Sequence, residues 1–216
     1  MTNADTKANL AALSASGVFD ARGKSGALPA GINRLVGSEP VAGPIVTARC
    51  HEGSVSAVVA ALDTCSPGDI LVIQGAGEWA YFGELTGAEA IRHGVVAVVA
   101  DCYVRDIDHL AGWPIQVFAR GLTPQGAGFG PPGEACVPIT VGEVVLDPGD
   151  WLVGDADGVV AVPAAEIEDA LGNARELVAT EAGWASGVLR GEALLDQAFA
   201  DGSTLRDRLE ARQGGC

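Results

Sequence analysis

The sequence predicts an α/β fold in which a parallel sheet covered by helices is joined to a second, antiparallel layer. Three observations predict it. Apolar runs such as residues 95–100 lack polar alternation, which is typical of strands buried on both faces of a parallel sheet. Helical and strand-like patterns alternate through the first half of the chain. Short strand-like runs divided by turn sequences then follow between residues 114 and 163, as in antiparallel structure.

The first half is predicted to alternate helices and strands. Two short helices are expected within residues 4–22, interrupted at 14–17, and a loop follows to about residue 34. A strand at 43–50 then leads to a helix at 54–65, which a serine caps. A strand at 70–74, a helix that ends near residue 93 before Gly94 and a strand from residue 95 complete this half. Because strands and helices alternate, the sheet that they build is expected to be parallel.

The second half is predicted to change character after residue 110. Antiparallel strands are expected within 114–119, 136–146, 150–155 and 158–163, since turn sequences such as Pro-Gly-Asp and Asp-Ala-Asp-Gly divide this part of the chain. The pattern is helical and charged from Ala164 to about residue 212, and a loose tail follows. We expect one domain over residues 1–216, with a core at about 10–163 and a C-terminal helical segment at 164–212.

The charge balance of the chain limits its partners. Thirteen basic residues oppose 28 acidic ones, so the formal net charge is −15 and the isoelectric point is near 4.4. Such a chain repels phosphate backbones and anionic membranes, and we therefore expect neither nucleic-acid nor membrane binding. An anionic metabolite would need a local cation or an arginine in order to bind.

Cysteine usage and the N-terminal sequence predict a soluble, cytoplasmic protein. The five cysteines are odd in number and show no Cys-x-x-Cys spacing, which favours reduced thiols over a disulfide framework or a zinc site. The first residues lack a basic and then apolar signal segment. No apolar run approaches the roughly 18 residues that a membrane span needs.

A possible dinucleotide site is formed by Gly75, Gly77 and Ala80, which follow a predicted strand in a Gly-x-Gly-x-x-Ala pattern, with Asp101 at the end of the next strand. The acid, however, lies 26 residues after Gly75, whereas the fingerprint places it about 20 residues on. Glu78 at the expected helix start would repel a pyrophosphate. The chain also continues into antiparallel strands instead of repeating the βαβ unit. We therefore do not expect a nicotinamide or flavin cofactor.

A second glycine-led helix start, Gly83-Glu84-Leu85-Thr86, precedes the helix that ends near residue 93. If the helix begins there, the unpaired amides of its first turn form a small anion site. The next strand delivers Arg105 and Asp106 to the same carboxyl edge of the sheet, because both segments belong to one strand–helix–strand unit. Oxygen ligands there would suit Mg²⁺ or Mn²⁺ rather than zinc. Spacing alone leaves open that Arg105 and Asp106 form only a salt bridge in a loop.

Several sequence motifs resemble one known family. They are GEL at 83–85, HGVVAVVAD at 93–101, VRD at 104–106, PIQVFARG at 114–121, VPITVG at 137–142, DPGDWLVGDADGVVAVP at 147–163, SGVFDA at 16–21 and GPIVTA at 43–48. In this order they resemble the aldolase/RraA family, which contains 4-hydroxy-4-methyl-2-oxoglutarate aldolase and the regulator of ribonuclease activity A. The resemblance covers about residues 10–190.

The resemblance implies a role for each residue of the candidate site. It implies that Asp106 binds a divalent cation, Mg²⁺ or Mn²⁺. It implies that Arg105 holds the keto oxygen of a 2-oxo acid and stabilises the enolate. The amides of Leu85 and Thr86, which follow the Gly-acid pair, would receive the carboxylate of pyruvate. Glu84, the acid of that pair, would position a water that carries the proton.

The resemblance also implies a fold, an activity and an assembly. The fold would be a β/β/α arrangement with one parallel and one antiparallel sheet. The activity would be that of a metal-dependent lyase, a class II pyruvate aldolase that cleaves 4-hydroxy-2-oxo acids such as 4-hydroxy-4-methyl-2-oxoglutarate to pyruvate and decarboxylates oxaloacetate. The chain would assemble as a homotrimer or hexamer with sites at subunit contacts, where Glu181 of the C-terminal helices is a candidate to approach a neighbour's site.

Two alternatives remain open. A non-catalytic regulatory protein would keep the fold without needing a metal. A family member recruited to another pathway would keep the metal and use a different substrate, since Cys102 stands where the family usually has glycine. We expect Cys102 to pack in the core rather than to act as a nucleophile. His51, His93 and His109 show no ligand spacing and are assigned no chemistry, and the four tryptophans, Trp79, Trp113, Trp151 and Trp184, are expected in the core or at subunit contacts.

Overall fold

The computed structural model describes residues 3–199 and 201–213. Its helices are α1 Asn3–Ala11, α2 Ala15–Ala21, α3 Ser56–Leu62, α4 Glu84–Arg92, α5 Ile107–Leu110, α6 Ile167–Leu189 and α7 Leu205–Gln213, with 3₁₀ turns at Ala164–Glu166 and Leu194–Asp196. Its strands are β1 Asn33–Val36, β2 Val41–Arg49, β3 Ile70–Gln74, β4 Ala80–Phe82, β5 Ala97–Val104, β6 Gln116–Leu122, β7 Glu134–Ala135, β8 Ile139–Val141, β9 Val144–Leu146, β10 Trp151–Gly154 and β11 Val159–Val162. The predicted tail and Cys216 lie outside the described residues.

Strand β2 belongs to both layers of the fold. Its first half, Val41–Pro44, pairs antiparallel with β10, and its second half, Ile45–Arg49, pairs parallel with β3. The strand order across the resulting sheet is β1-β6-β5-β3-β2-β10-β11, and β8 and β9 form a separate hairpin. The predicted fold class, with a parallel layer, an antiparallel layer and C-terminal helices, is therefore confirmed.

The two layers meet where the backbones of β2 and of the turn before β3 approach closely. A Cβ atom on Gly43 would lie 2.5 Å from the carbonyl oxygen of Gly68. This steric clash could not be relieved as a side-chain clash can, because the oxygen belongs to the backbone. Glycine is thus required on β2 at the point where its pairing changes. At the far end of α4, Gly94 has a φ of +77°, and this left-handed residue ends the helix as predicted.

The apolar runs form strands that are buried on both faces. In β5, Val98 packs into a cluster with helices α3 and α4, whereas its neighbour Val99 packs into a second cluster with the β8–β9 hairpin. Leu71 and Val72 divide between the same two clusters. Each fully buried Val or Leu side chain contributes about 1.5–3 kcal/mol, so polar residues within these strands would be costly. Asp101 lies within β5 nevertheless, and its charge is paired with that of Arg120 in β6.

The antiparallel layer is covered by helices α1, α2 and α6, which form a third apolar cluster with β10 and β11. Trp151 is buried in that cluster, and Trp79 and Trp113 pack against the α3–α4 cluster, as expected for core residues. Trp184 contacts the ring of Phe199, with centroids 4.7 Å apart. None of the described helices combines the length and apolar character that crossing a membrane requires.

Several details of the predicted elements differ from the structure. The segment 114–119 was expected to be antiparallel; β6 is antiparallel to β1 but runs parallel to β5, because α5 and the following turn carry the chain back across the sheet. Strands β1, β4 and β7 and helix α5 were not predicted, and the predicted strand at 136–146 is divided into β8 and β9. Val55 rather than a serine occupies the N-cap position of α3; the hydroxyl of Ser54, one residue earlier, accepts the N–H of Ser56 at 3.4 Å and the N–H of Gly130 at 3.2 Å.

Candidate active site

The site lies at the carboxyl edge of the parallel strands, where β5 ends beside the start of α4. Gly83 is the N-cap residue of α4, and Arg105 follows directly after the last residue of β5. The backbone N–H of Arg105 donates to the carbonyl oxygen of Phe82 at 2.9 Å, which fixes the two segments against each other. The structure thus brings together the residues singled out in the sequence: Gly83, Glu84, Leu85, Thr86, Arg105 and Asp106.

Asp106 turns its carboxylate back toward the N-terminus of α4. Its backbone is left-handed, with φ 57° and ψ 35°, a conformation that aspartate tolerates better than most residues. In this conformation Oδ2 accepts the N–H of Glu84 at 3.0 Å. The positive end of the helix dipole stabilises a negative charge there. Strained backbone of this kind is concentrated at functional sites.

Arg105 is only loosely paired with its neighbour. Its Nε lies 3.4 Å from Oδ2 of Asp106, longer than a good charge-assisted hydrogen bond. Among the described residues none bonds to Nη1 or Nη2, and the side chain is 44% exposed. A Cβ on Gly83 would lie 2.9 Å from Cγ of Arg105 and 2.6 Å from Oδ2 of Asp106, so glycine is needed to let both side chains approach the helix. The guanidinium fork therefore remains available to a ligand.

The first turn of α4 keeps backbone donors available. The hydroxyl of Thr86 accepts the N–H of Gly83 at 3.0 Å and donates to the carbonyl oxygen of Gly83 at 3.1 Å. Asp106 occupies the N–H of Glu84, as described above. The amides of Leu85 and Thr86 have no acceptor within the helix, because first-turn amides lack a preceding turn. A carboxylate that approaches this turn would meet two aligned N–H groups.

These groups line a cavity of about 260 Å³, bounded by the first turn of α4, by Val55 and Val59 of α3 and by the loop at 127–129. Arg105 and Asp106 also line a wider, more open space of about 500 Å³ on their other side, together with His109 and Thr123. Arg105 and Asp106 therefore lie between the smaller, mainly apolar cavity and the wider, more polar one. A molecule the size of a small organic acid fits this arrangement.

His109 is a site residue that the sequence analysis missed. Its Nδ1 lies 3.0 Å from Oε2 of Glu84. The sequence contained one usable signal, since His109 stands three residues after Asp106 and shares its turn. Metal-ligand spacing was the wrong criterion, because the contact joins α5 to α4, which are distant in sequence.

Cys102 lies in an irregularity of β5 just before the site. Ala100 pairs with Ala119 and Tyr103 with Gly121, so β5 carries one extra residue there, as in a β-bulge. The Cys102 side chain is 3% exposed and packs in the cluster under α3 and α4, and it does not line either cavity. Burial raises the pKa of its thiol well above the ordinary value. These features favour packing over nucleophilic chemistry.

Two other features of the sequence do not contribute to this site. No helix follows Gly75 and Gly77; the chain forms β4 instead, and Asp101 pairs with Arg120, so the dinucleotide fingerprint is not formed. Glu181 lies on α6, which packs against α2 and the antiparallel layer, and it lines neither cavity of the described chain. Its expected approach to a neighbouring subunit stays a prediction.

The donor set around Asp106 is sparse. Within residues 3–199 and 201–213, no group of three or more His, Cys, Asp and Glu side chains is arranged to hold a metal ion. Both protein contacts of the Asp106 carboxylate use Oδ2, which leaves Oδ1 without a bond to a described residue. One free carboxylate oxygen suits an ion such as Mg²⁺, which keeps several waters and takes further ligands from its substrate.

Fold and site together define a class: a mixed α/β protein with an anion-binding helix start, an arginine and a carboxylate at the edge of a parallel sheet. A sequence model of the aldolase/RraA family matches residues 10–161. The chain belongs to the aldolase/RraA family.

Curated relatives and solved structures agree with this assignment. A protein of Xanthomonas campestris pv. campestris is 36% identical over 130 residues, 59% of this chain and 78% of the relative. A protein of Halalkalibacterium halodurans is 34% identical over 147 residues, 67% of this chain and 70% of the relative. Both bear the name "Putative 4-hydroxy-4-methyl-2-oxoglutarate aldolase". A Streptomyces coelicolor structure, described as an unusual member of the RNase ES inhibitor RraA protein family, is similar with a TM-score of 0.76 and 25% identity, covering 86% of this chain and 99% of that one.

Thiol reactivity tests the placement of Cys102. In a Cys216→Ser background at neutral pH, we expect maleimide to modify exposed Cys136 and to leave Cys50, Cys65 and Cys102 unmodified until the protein is denatured. Burial raises the pKa of both Cys50 and Cys65 to about 12, so these thiols stay protonated as well as shielded. Mass spectrometry of the labelled peptides measures this order. Native modification of Cys102 as fast as Cys136 would contradict the packing role.

Proposed function

We propose that this protein is a divalent-metal-dependent carbon–carbon lyase that releases pyruvate from 4-hydroxy-2-oxo acids, the class that includes 4-hydroxy-4-methyl-2-oxoglutarate. The observation that carries the proposal is the convergence of the Asp106 carboxylate, the unsatisfied fork of Arg105 and the free amides of Leu85 and Thr86 around one small cavity. The names of the curated relatives support the same reaction class.

Asp106 would hold the cation, Mg²⁺ or Mn²⁺, through the carboxylate oxygen that does not bond to α4. When bound, a divalent cation supplies Lewis-acid stabilisation of negative charge on substrate oxygens. The hydrogen bond from the N–H of Glu84 to Oδ2 would keep the carboxylate in one orientation. The cation would also offset the strongly acidic surroundings for an anionic substrate.

The carboxylate of the 2-oxo acid would bind at the amides of Leu85 and Thr86. Arg105 would then direct its fork at the keto oxygen. When the bond between C3 and C4 breaks, its electron pair forms the enolate of pyruvate, and charge develops on that oxygen. A donor already aimed at a developing oxyanion stabilises the transition state more than the ground state, which is the effect that raises kcat.

Glu84 would position the water that moves the proton. Bond cleavage requires removal of the proton from the 4-hydroxyl group, and the enolate then takes a proton at C3. A water held by the half-exposed Glu84 carboxylate can perform both transfers. Oxaloacetate forms the same enolate when it loses CO₂, so we propose a decarboxylase activity beside the aldolase activity.

A non-catalytic regulatory role is the second candidate, because one similar structure is described as a member of an RNase inhibitor family. Such a role would not need a guanidinium and a carboxylate oriented into a common cavity. The retention of Glu84, Arg105 and Asp106 together favours catalysis. The same residues would also serve a lyase whose substrate carries a different aldehyde or ketone half beside the pyruvate unit.

We further propose that the protein is a homotrimer or hexamer. Leu85 and Phe129, which line the cavity, are 83% and 85% exposed, and Leu122 beside the wider opening is 52% exposed. Apolar side chains clustered at a site mouth are typical of a surface covered by another chain. Sedimentation at micromolar concentration should give three or six times the chain mass of 21.8 kDa, and Phe129→Ser should weaken the association while Leu209→Ser on α7 should not. A single species of one chain mass would contradict the proposal.

Metal dependence is tested at Asp106. A chelator should abolish pyruvate release, and Mg²⁺ or Mn²⁺ should restore it. Asp106→Asn keeps an acceptor for the N–H of Glu84 but removes the charge, so we expect kcat/KM to fall at least about a hundredfold with little change in Tm. Asp157→Asn, in an exposed turn that lines neither cavity, is the matched control and should be fully active. Full activity of the wild type in excess chelator would refute the cation's role.

The role of Arg105 is tested by Arg105→Lys, which keeps the charge and loses the fork. We expect kcat and kcat/KM to fall together by at least about a hundredfold, the scale of one oxyanion donor. Tm should hardly change, because an exposed pair contributes under about 1 kcal/mol. Arg120→Lys, which alters the Arg120–Asp101 pair outside both cavities, is the control. Near wild-type kcat in Arg105→Lys would mean that Arg105 only forms a surface ion pair.

A further inference from the structure

We propose that His109 is a positioning residue that fixes the carboxylate of Glu84 for proton transfer, a role that rests on the proposed lyase function. The contact between Nδ1 of His109 and Oε2 of Glu84, at 3.0 Å, carries the inference. Among the described residues, His109 is the partner of the Glu84 carboxylate. The side chain of Glu84 is thus held by His109, and its backbone N–H is held by Asp106.

Two hydrogen bonds and one ion-pair contact close a ring at the site. Glu84 donates its N–H to Oδ2 of Asp106, His109 donates its backbone N–H to the carbonyl oxygen of Asp106 at 3.0 Å, and the imidazole of His109 meets Oε2 of Glu84. The left-handed backbone of Asp106 produces the ring, because it turns the chain so that α5 begins immediately and presents His109 to α4. The left-handed turn at Asp106 thus orients the Asp106 carboxylate and also brings His109 to the side chain of Glu84.

The direction of the contact follows from the chemistry of its two groups. A carboxylate oxygen only accepts, so the contact is attractive when Nδ1 of His109 carries a proton. Nε2 then has no bond to a described residue, and His109 lines the wider space beside Arg105 and Asp106. The imidazole holds Glu84 without consuming the oxygen Oε1, which remains for a water.

If His109 had only a structural role, its loss would lower stability rather than turnover. The His109 and Glu84 side chains are 63% and 49% exposed, and a pair this open contributes little to the free energy of unfolding. A glutamate without its partner samples several rotamers, and fixing one of them costs side-chain entropy. Loss of His109 should therefore leave stability unchanged and lower the fraction of Glu84 that is correctly placed.

The experiment compares His109→Ala, His109→Asn and the control His93→Ala in two assays: metal-supplemented pyruvate release, and exchange of the pyruvate methyl protons in D₂O followed by NMR. Asn places an amide donor where Nδ1 stands. His93 contacts Glu89 at 3.3 Å at the other end of α4, so its removal breaks a similar pair away from the proton path. In His109→Ala we expect kcat and the exchange rate to fall at least about tenfold, part of the 10²–10⁴ that positioned proton transfer supplies. KM and Tm should stay unchanged.

His109→Asn should recover most of the lost rate, and His93→Ala should match the wild type. Because His109 acts through Glu84, His109→Ala should cost nothing further in a Glu84→Gln background. Unchanged kcat in His109→Ala, or a loss that persists in the Glu84→Gln background, would overturn the role while leaving the lyase function standing. A wild type that neither releases pyruvate nor exchanges its protons would overturn both proposals.

Discussion

Burial of β5 on both faces is the constraint on which the rest of the structure depends. The strand lies between β3 and β6, with one apolar cluster under the helices and another under the β8–β9 hairpin. A charged side chain inside the strand needs a partner, as Asp101 has in Arg120, whereas Arg105 and Asp106 follow where the strand leaves the sheet and need none. Because β3 and β6 run in the same direction, that exit lies at the edge where ligands bind in open parallel sheets.

The proposed site would resolve an electrostatic conflict within an acidic protein. An anionic ligand is repelled by a net charge of −15, so local groups must reverse the field. The first turn of α4 contributes oriented amides, and Arg105 contributes the guanidinium of the cavity. Asp106 is placed against the helix start, where its charge is stabilised while one carboxylate oxygen stays free. Loose pairing of Arg105 is thus useful, since a tight salt bridge would consume the donors that a ligand needs.

Cys102 shows how the chain accommodates a residue that departs from the family pattern. The thiol points into the core, where Gly75 leaves space: a Cβ on Gly75 would lie 2.5 Å from Cβ of Cys102 and 2.7 Å from the ring of Tyr81. The side chain therefore does not narrow the cavity. Cys102 lies within the irregularity of β5 between Ala100 and Tyr103, three residues before Arg105. Gly75, which belongs to the dinucleotide-like pattern, thus has a packing role in this chain.

The sequence by itself determined the buried strands, the start of α4 at Gly83-Glu84 and the identity of the residues at the sheet edge, because local patterning and burial on both faces leave few other arrangements. It also carried the family resemblance, through motifs spread over most of the chain. Only the tertiary structure decided that β6 runs parallel to β5, that Asp106 adopts a left-handed backbone and that His109 meets Glu84. Each of these depends on how the short α5 turn returns the chain between elements that are distant in sequence. Local periodicity carries no information about such returns, since a strand's direction and a side chain's partner are set by packing across the sheet.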